Sequence, residues 1–258
     1  MTNSSFLSLR PLLLSALVLC FLSDWNVRAE GIQLDFKDWR AGEIFTEQDK
    51  GWVRNHPDVA DVIVSAEGSG VPVLRIHGQK GVIRTARDVE VIGPEVSLLV
   101  DFCLNEGTLQ FTARGTNKEA AAETAGAAGF QTRGNQVVHL SSYDGVKWEN
   151  LPADFQRGQW YRLLVDYVLP QDQGQPPQAK VWLWSISPTG MEELIGGLNI
   201  ENGWQEGAYP VEFKGLAIGM TPASQPGDLL VARAYLMSTA QLPSEFRDGG
   251  QNPLAPAQ

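Results

Sequence analysis

After residue 30, apolar and polar positions alternate with period two along most of the chain, and turn-forming residues interrupt the alternation at short intervals. That pattern predicts half-buried strands rather than helices. The longest example runs from Gly158 to Ser187. GQWYRLLVDYVL crosses a polar Gly/Pro/Gln segment and returns as KVWLWSIS, which predicts a long antiparallel hairpin. Glu95 to Leu104 alternates as cleanly. Val96, Leu98, Val100, Phe102 and Leu104 fall on one face, and Ser97, Leu99, Asp101 and Cys103 on the other. Further strands are expected at 32–36, 61–66, 72–78, 81–87, 108–113, 135–143, 146–148, 192–195, 211–220 and 228–237. Between them, 51–57 reads as a loop carrying Trp52, 151–157 as a connector, and 199–209 as an irregular loop carrying Trp204. NKEAAAETAGAAG, residues 117–129, reads as an inserted loop with one or two helical turns at most, because its internal glycines weaken the helix that Ala and Glu favour. Gln241 to Phe246 has room for one helical turn. Many short strands, little helix and one core-sized chain predict an all-β domain of two packed antiparallel sheets.

The first 29 residues follow a different logic. Arg10 precedes an apolar run from Leu12 to Leu22 that is too short to span a bilayer. Val27 and Ala29 then place small residues at the −3 and −1 positions of a cleavage site before Glu30. Residues 1–29 are therefore expected to be a secretory signal peptide, residues 30–246 the sandwich, and residues 247–258 a disordered tail. No later apolar run reaches membrane length, so the expected location is secreted, periplasmic or at the cell surface, without a membrane span. The whole chain carries a formal charge of −10 and no Lys/Arg cluster. That balance argues against nucleic acid and anionic membranes as partners. Cys20 leaves with the leader, so Cys103 has no intramolecular disulfide partner and is expected to be a small buried apolar residue.

Three segments of the second half resemble the concanavalin A-like lectin/glucanase superfamily, most of all its laminin-G-like branch. Gly158-Gln159-Trp160 opens an alternating strand in the manner of a G-x-W motif. Leu216-Ala217-Ile218-Gly219 is similar to an L-x-I-G turn, and LLVARAYLMSTAQL (229–242) to the closing strand. The resemblance implies a jelly roll of two antiparallel sheets, one of them concave. Lectins, glycan-binding modules, glycosidases, lyases and interaction domains all use this fold.

Catalytic patterns are sparse. Glycosidases of the superfamily carry E-x-D-x-x-E on one strand. The nearest run here, Asp88-Val89-Glu90, continues into Pro94 and Glu95 instead. Retaining chemistry also needs two carboxyls about 5 Å apart, which one i, i+2 pair does not establish. Jelly-roll lyases set Arg, Gln or Asn, His and Tyr on the concave face. Arg75 and His77 share one strand face here, and His139 and Tyr143 another. At ~3.3 Å per residue, however, His139 and Tyr143 stand about 13 Å apart. A meeting of His77 and His139 would require neighbouring strands. No zinc, P-loop or nucleophile-elbow motif is present. Calcium stays open, because turn aspartates such as Asp144, Asp172 and Asp228 can supply oxygen ligands.

Trp182 and Trp184 share a strand face and serve either as core or as a sugar-stacking platform, with core the default for large aromatics. The candidate ligand site is the Asp144-Gly145 hairpin, where Tyr143 and Trp148 flank a turn and Asp144 can accept hydrogen bonds from two hydroxyls. Trp204 is the second candidate. The residues favour a secreted, non-catalytic binding domain with a glycan as partner and no cofactor required. The alternatives are a polysaccharide-cleaving enzyme on the same fold, and a structural or protein-interaction domain of the cell envelope with an extracellular protein as partner.

Overall fold

A computed structural model describes residues 31–48, 51–79, 81–89, 91, 93–117, 125–133, 136–140, 148–169, 177–187, 192–200, 210–220 and 226–246. The expected leader and the tail from residue 247 lie outside these residues, as do Tyr143, Asp144 and Trp204. Fifteen strands are described: β1 (Gly31–Asp35), β2 (Trp52–Arg54), β3 (Ala60–Ser65), β4 (Pro72–Gly78), β5 (Gly81–Thr85), β6 (Glu95–Glu106), β7 (Leu109–Asn117), β8 (Ala125–Arg133), β9 (Gln136–Leu140), β10 (Trp148–Asp154), β11 (Trp160–Val168), β12 (Gln178–Ile186), β13 (Glu192–Ile200), β14 (Pro210–Met220) and β15 (Gly227–Ser238). They form two antiparallel sheets, a jelly-roll sandwich. The first sheet has the order β13-β12-β11-β6-β15-β4-β3, with β1 also paired to β15. The second has the order β10-β9-β8-β7-β14-β5-β2.

The alternation read from the sequence sets which side chains meet between the sheets. Val96, Leu98, Val100, Phe102 and Leu104 of β6 all enter the core, as do Tyr161, Leu163, Val165 and Tyr167 of β11. The second sheet supplies Ile83, Phe111, Phe130, Phe213, Leu216 and Ile218. Phe102 meets Phe111 edge-on at 5.1 Å, and Tyr167 meets Phe213 at 5.0 Å, so aromatic pairs join the two layers. At one end an ion pair does the same: Arg54 on β2 bonds Asp61 on β3. The Thr46 backbone N–H and hydroxyl donate to the same carboxylate at 2.6 and 3.1 Å. Thr46 belongs to a helical turn, Phe45–Gln48, whose Phe45 is buried against Phe36, Trp39 and Trp52. The Gly158–Ser187 hairpin is β11 and β12, entered through Gly158 at φ +77°, a backbone region that favours glycine.

The first sheet also buries its outer face. Arg162 on β11 and Asp101 on β6 face each other across the ladder, and both side chains are 0% exposed. Arg162 Nε and Nη2 donate to the two Asp101 oxygens at 2.7 and 3.0 Å. Arg233 Nε on β15 reaches Asp101 Oδ2 at 2.9 Å. A register shift between Val231 and Arg233 puts Arg233, rather than Ala232, opposite Asp101. A bulge that re-aims one side chain is the ordinary use of such a shift. The chain then turns back over this cluster. The Phe246 ring covers the Arg233 guanidinium at 4.9 Å and the Arg162 guanidinium at 5.5 Å. Leu242 and Phe246 close a small apolar cluster with Leu99, Leu164, Tyr235 and Met237.

Several sequence expectations change. Residues 125–129 of the expected loop belong to β8, which runs on to Arg133, because the run of Ala and Gly fits closely against β7: a Cβ on Gly129 would stand 2.6 Å from the Phe111 carbonyl oxygen. Trp52 lies on β2 and is core, the expected connector is largely β10, and β13 extends through the start of the expected irregular loop to Ile200. Trp182 and Trp184 are not in the inter-sheet core. They are half-buried on the outer face of the first sheet, 6.4 Å apart and nearly parallel, against the Leu99–Leu164 cluster. The helical turn expected at 241–246 is present as a 3₁₀ turn, Ser244–Phe246.

Two measurements check this layer. Asp101→Ala leaves two arginines buried without their shared carboxylate, and should cost about 3–5 kcal/mol in urea unfolding. Replacing all three charges with Leu and Met should recover most of that loss; a triple variant as unstable as the single one would show that packing, not charge, is what fails. Cys103 is 3% exposed. Burial, assisted by the nearby Asp228 charge, pushes its thiol up to about 12. Disulfide-reagent labelling at pH 8 should therefore be slow in the native protein and fast in denaturant, and rapid native labelling would overturn the assignment of an inert thiol.

Candidate functional site: the outer face of the second sheet

β14 alternates between core and outer face. Leu216, Ile218 and Met220 point inward, while Gly215, Ala217 and Gly219 take the outward positions. This outward row is small for a physical reason. A Cβ on Gly219 would meet the Gly81 carbonyl oxygen at 2.5 Å, and one on Gly215 would meet Thr85 Oγ1 at 2.6 Å. β7 and β5 flank the row and alternate in the same way. Leu109, Phe111 and Ala113 are core, so Gln110, Thr112 and Arg114 are outward; Ile83 is core, so Arg84 is outward.

The registers fix the neighbours. Ala217 lies between Arg84 and Thr112. Gly219 lies between Val82 and Gln110, and Gln131 of β8 continues that row. Gly215 pairs with Arg114. The site thus has two guanidiniums on opposite sides of a strand with almost no side chains, and amides and hydroxyls beside them. Gln110 Nε2 donates to Thr112 Oγ1 at 3.2 Å, and Arg114 Nη1 donates to the Thr85 carbonyl at 3.3 Å. Burial, and then repulsion from Arg84, lower the Arg114 pKa against a smaller opposing pull from Asp88. Thr85 is 3% exposed, and its Oγ1 has no hydrogen-bond partner among the described residues. These groups donate hydrogen bonds and hold negative charge. A guanidinium does not accept a proton at ordinary pH.

The residues singled out from the sequence fall elsewhere or at the rim. Trp148 opens β10 opposite Leu140. Its register row continues through Leu140, Gly129, Thr112 and Ala217 to Arg84, so its backbone stands at the end of a row that crosses this face. Tyr143, Asp144 and Trp204 are outside the described residues. His77 and His139 belong to different sheets, β4 and β9, so the convergence of two histidines on neighbouring strands does not occur. His139 takes the register position opposite Phe130. Arg75 and His77 do share the outer face of the first sheet, where Arg75 is bound to Asp228 at 2.7 and 3.1 Å. Asp228 is therefore engaged in an ion pair, with Asn105 as a further donor at 3.1 Å. Among the described residues no group of three His, Cys, Asp or Glu is placed to hold a metal ion.

The signal for Arg84, Gln110, Thr112 and Arg114 was present in LQFTAR and VIRT, where polar residues alternate with core residues. It is legible only once β14, with its glycines, is known to run between them.

No family model and no curated protein matches this chain. Among solved structures, it is similar to alginate lyase Aly36B at a TM-score of 0.50 and 10% identity, over 81% of this chain and 97% of that one. A PL-14 alginate lyase from Aplysia kurodai follows at a TM-score of 0.48 and 10% identity, over 70% of this chain and 87% of the other. Peanut lectin follows at 0.41 and 14% identity, over 82% and 98%. At 10% identity the likeness to the first of these is one of fold alone, two packed antiparallel sheets.

Proposed function

We propose that the protein is an exported, non-catalytic carbohydrate-binding domain of the laminin-G-like kind, which takes a saccharide across the outer face of its second sheet. One observation carries the reading. A core-backed sheet places half-buried Arg84, Arg114 and Gln131 and the buried Gln110 and Thr112 in adjacent rows around a strand of small residues. Sugars are recognised by such sets of amide, hydroxyl and guanidinium groups, because each sugar hydroxyl both donates and accepts. Small residues beneath them let a flat ring approach the backbone. The register row that ends at Trp148 supports a wider site at the β10 rim; Tyr143, Asp144 and Trp204, which lie outside the described residues, are its further candidate contacts from the sequence. An aromatic ring there would stack on a sugar's C–H face.

The test is a glycan array probed with the protein from Glu30 onward, with and without calcium. At least one saccharide class should bind without added metal. Gln131→Ala should weaken that binding about tenfold and leave the melting temperature within about 2 °C, as expected for a half-buried surface side chain. Trp148→Ala should also weaken it. A silent array would sink the proposal, and release of shortened chains from a bound polysaccharide would replace it with cleavage.

A further inference from the structure

We infer that the saccharide is anionic, with a carboxylate or sulfate group held between Arg84 and Arg114. This rests on the reading that the outer face of the second sheet binds carbohydrate. The inference starts from how this protein treats the other buried and half-buried arginines among the described residues, Arg40, Arg87 and Arg157 being exposed. Arg162 and Arg233 share Asp101, Arg75 is bound to Asp228, and Arg54 to Asp61. In a chain of net charge −10, carboxylates are in excess. Arg84 and Arg114 are nevertheless half-buried with no carboxylate within ion-pair distance among the described residues, and the repulsion of Arg84 on Arg114 outweighs the pull of Asp88. Two like charges held together on a sheet face are unfavourable unless something of opposite sign joins them.

The floor between them is shaped to admit that group. Gly215 and Ala217 occupy the strand positions beside the two arginines and contribute at most a methyl group, so the Arg114 guanidinium lies over Gly215, with Nη1 3.6 Å from where a Cβ would stand. Thr85 Oγ1, almost fully buried and without a partner among the described residues, is aimed at the place where a Gly215 side chain would begin. A hydroxyl there donates to an anionic oxygen that two guanidiniums also bind. Guanidiniums match the planar two-oxygen edge of a carboxylate and also the oxygens of a sulfate. The shared chemistry is therefore an acidic sugar, a polyuronate or a sulfated polysaccharide.

The experiment compares polymannuronate, dextran sulfate and unmodified dextran by titration calorimetry against the wild type, Arg84→Gln, Arg114→Gln and a control, Arg75→Gln, on the opposite sheet. The expected result is binding of one of the two acidic polymers. Each second-sheet variant should weaken it tenfold or more, while Arg75→Gln leaves it unchanged. Which acidic polymer binds distinguishes carboxylate from sulfate recognition. Melting temperature supplies the second readout. Removing one of two mutually repelling charges should not lower it, and the binding polymer should raise it in the wild type but not in the double variant. A structural arginine would show the opposite: a lower melting temperature and no selective loss of the acidic ligand. If Arg84→Gln does not fold, Arg84→Lys, which keeps the charge, must retain most of the affinity for the inference to stand. If dextran binds as well as the acidic polymers and both variants keep that affinity, the anionic inference fails while carbohydrate binding survives. If no polymer binds and none on a wider array does, both fail.

Discussion

The Asp101 carboxylate decides how the first sheet can exist. It sits in the middle of β6, fully buried on the face turned away from the core, and two arginines converge on it. Charges are costly to desolvate, and such a cluster holds only when nearly every polar atom finds a partner. The bulge in β15 aligns Arg233, the straight pairing of β6 and β11 aligns Arg162, and Phe246 seals the group from above. The C-terminal segment, the β15 register and three central strands are therefore linked through one side chain. This outer face is packed with the protein's own residues at its centre. It extends through Leu99, Leu164, Tyr235 and the half-buried tryptophan pair, Trp182 and Trp184, toward the β13 edge.

The second sheet is built on a different rule. Its inner face is as apolar as that of the first sheet, but its outer face carries two arginines with no carboxylate at ion-pair distance among the described residues, an amide that donates to a threonine hydroxyl, and a strand reduced to Gly, Ala and Gly. Glycine in a strand interior weakens it, because it adds no packing and costs more backbone entropy. Three outward positions given to small residues on the central strand β14 are a local loss of stability. The deep inter-sheet contacts of Phe111, Phe213, Leu216 and Ile218 offset it. The two sheets differ in this respect: Asp101, Arg162 and Arg233 are paired and covered on one, while Arg84 and Arg114 lie on the other with no carboxylate at ion-pair distance among the described residues.

Much of the fold was legible from periodicity, because a buried face repeats every second residue. β6, β11, β12 and β15 show this plainly. What periodicity cannot show is the partner across the ladder. Asp101 read as one polar residue on an outward face; its two arginines come from positions 61 and 132 residues away in sequence, and the second depends on a bulge. Trp182 and Trp184 carried the right alternation, but the default of burial in the main core was wrong for them, because this sheet has apolar clusters on both faces. Residues 125–133 misled for another reason. AGAAGFQTR has neither β-branched residues nor a clean alternation, and only the close approach of β7 makes its small side chains an advantage.

The candidate site was legible at its rim and not at its centre. Trp148 drew attention because an isolated aromatic beside a turn is conspicuous, and its register row does lead across the second sheet to Arg84. Arg84 and Arg114 drew none, since an arginine on an alternating strand is ordinary by itself. Their meaning lies in a difference. Of the buried and half-buried arginines described, Arg54, Arg75, Arg162 and Arg233 pair with carboxylates, while these two flank Gly215 and Ala217. Unsatisfied polarity on a rigid sheet is stable only because the core beneath it is large, and a surface of that kind is preorganised. It would lose little further freedom on meeting the proposed anionic ligand, which would offset a repulsion that the folded protein already carries.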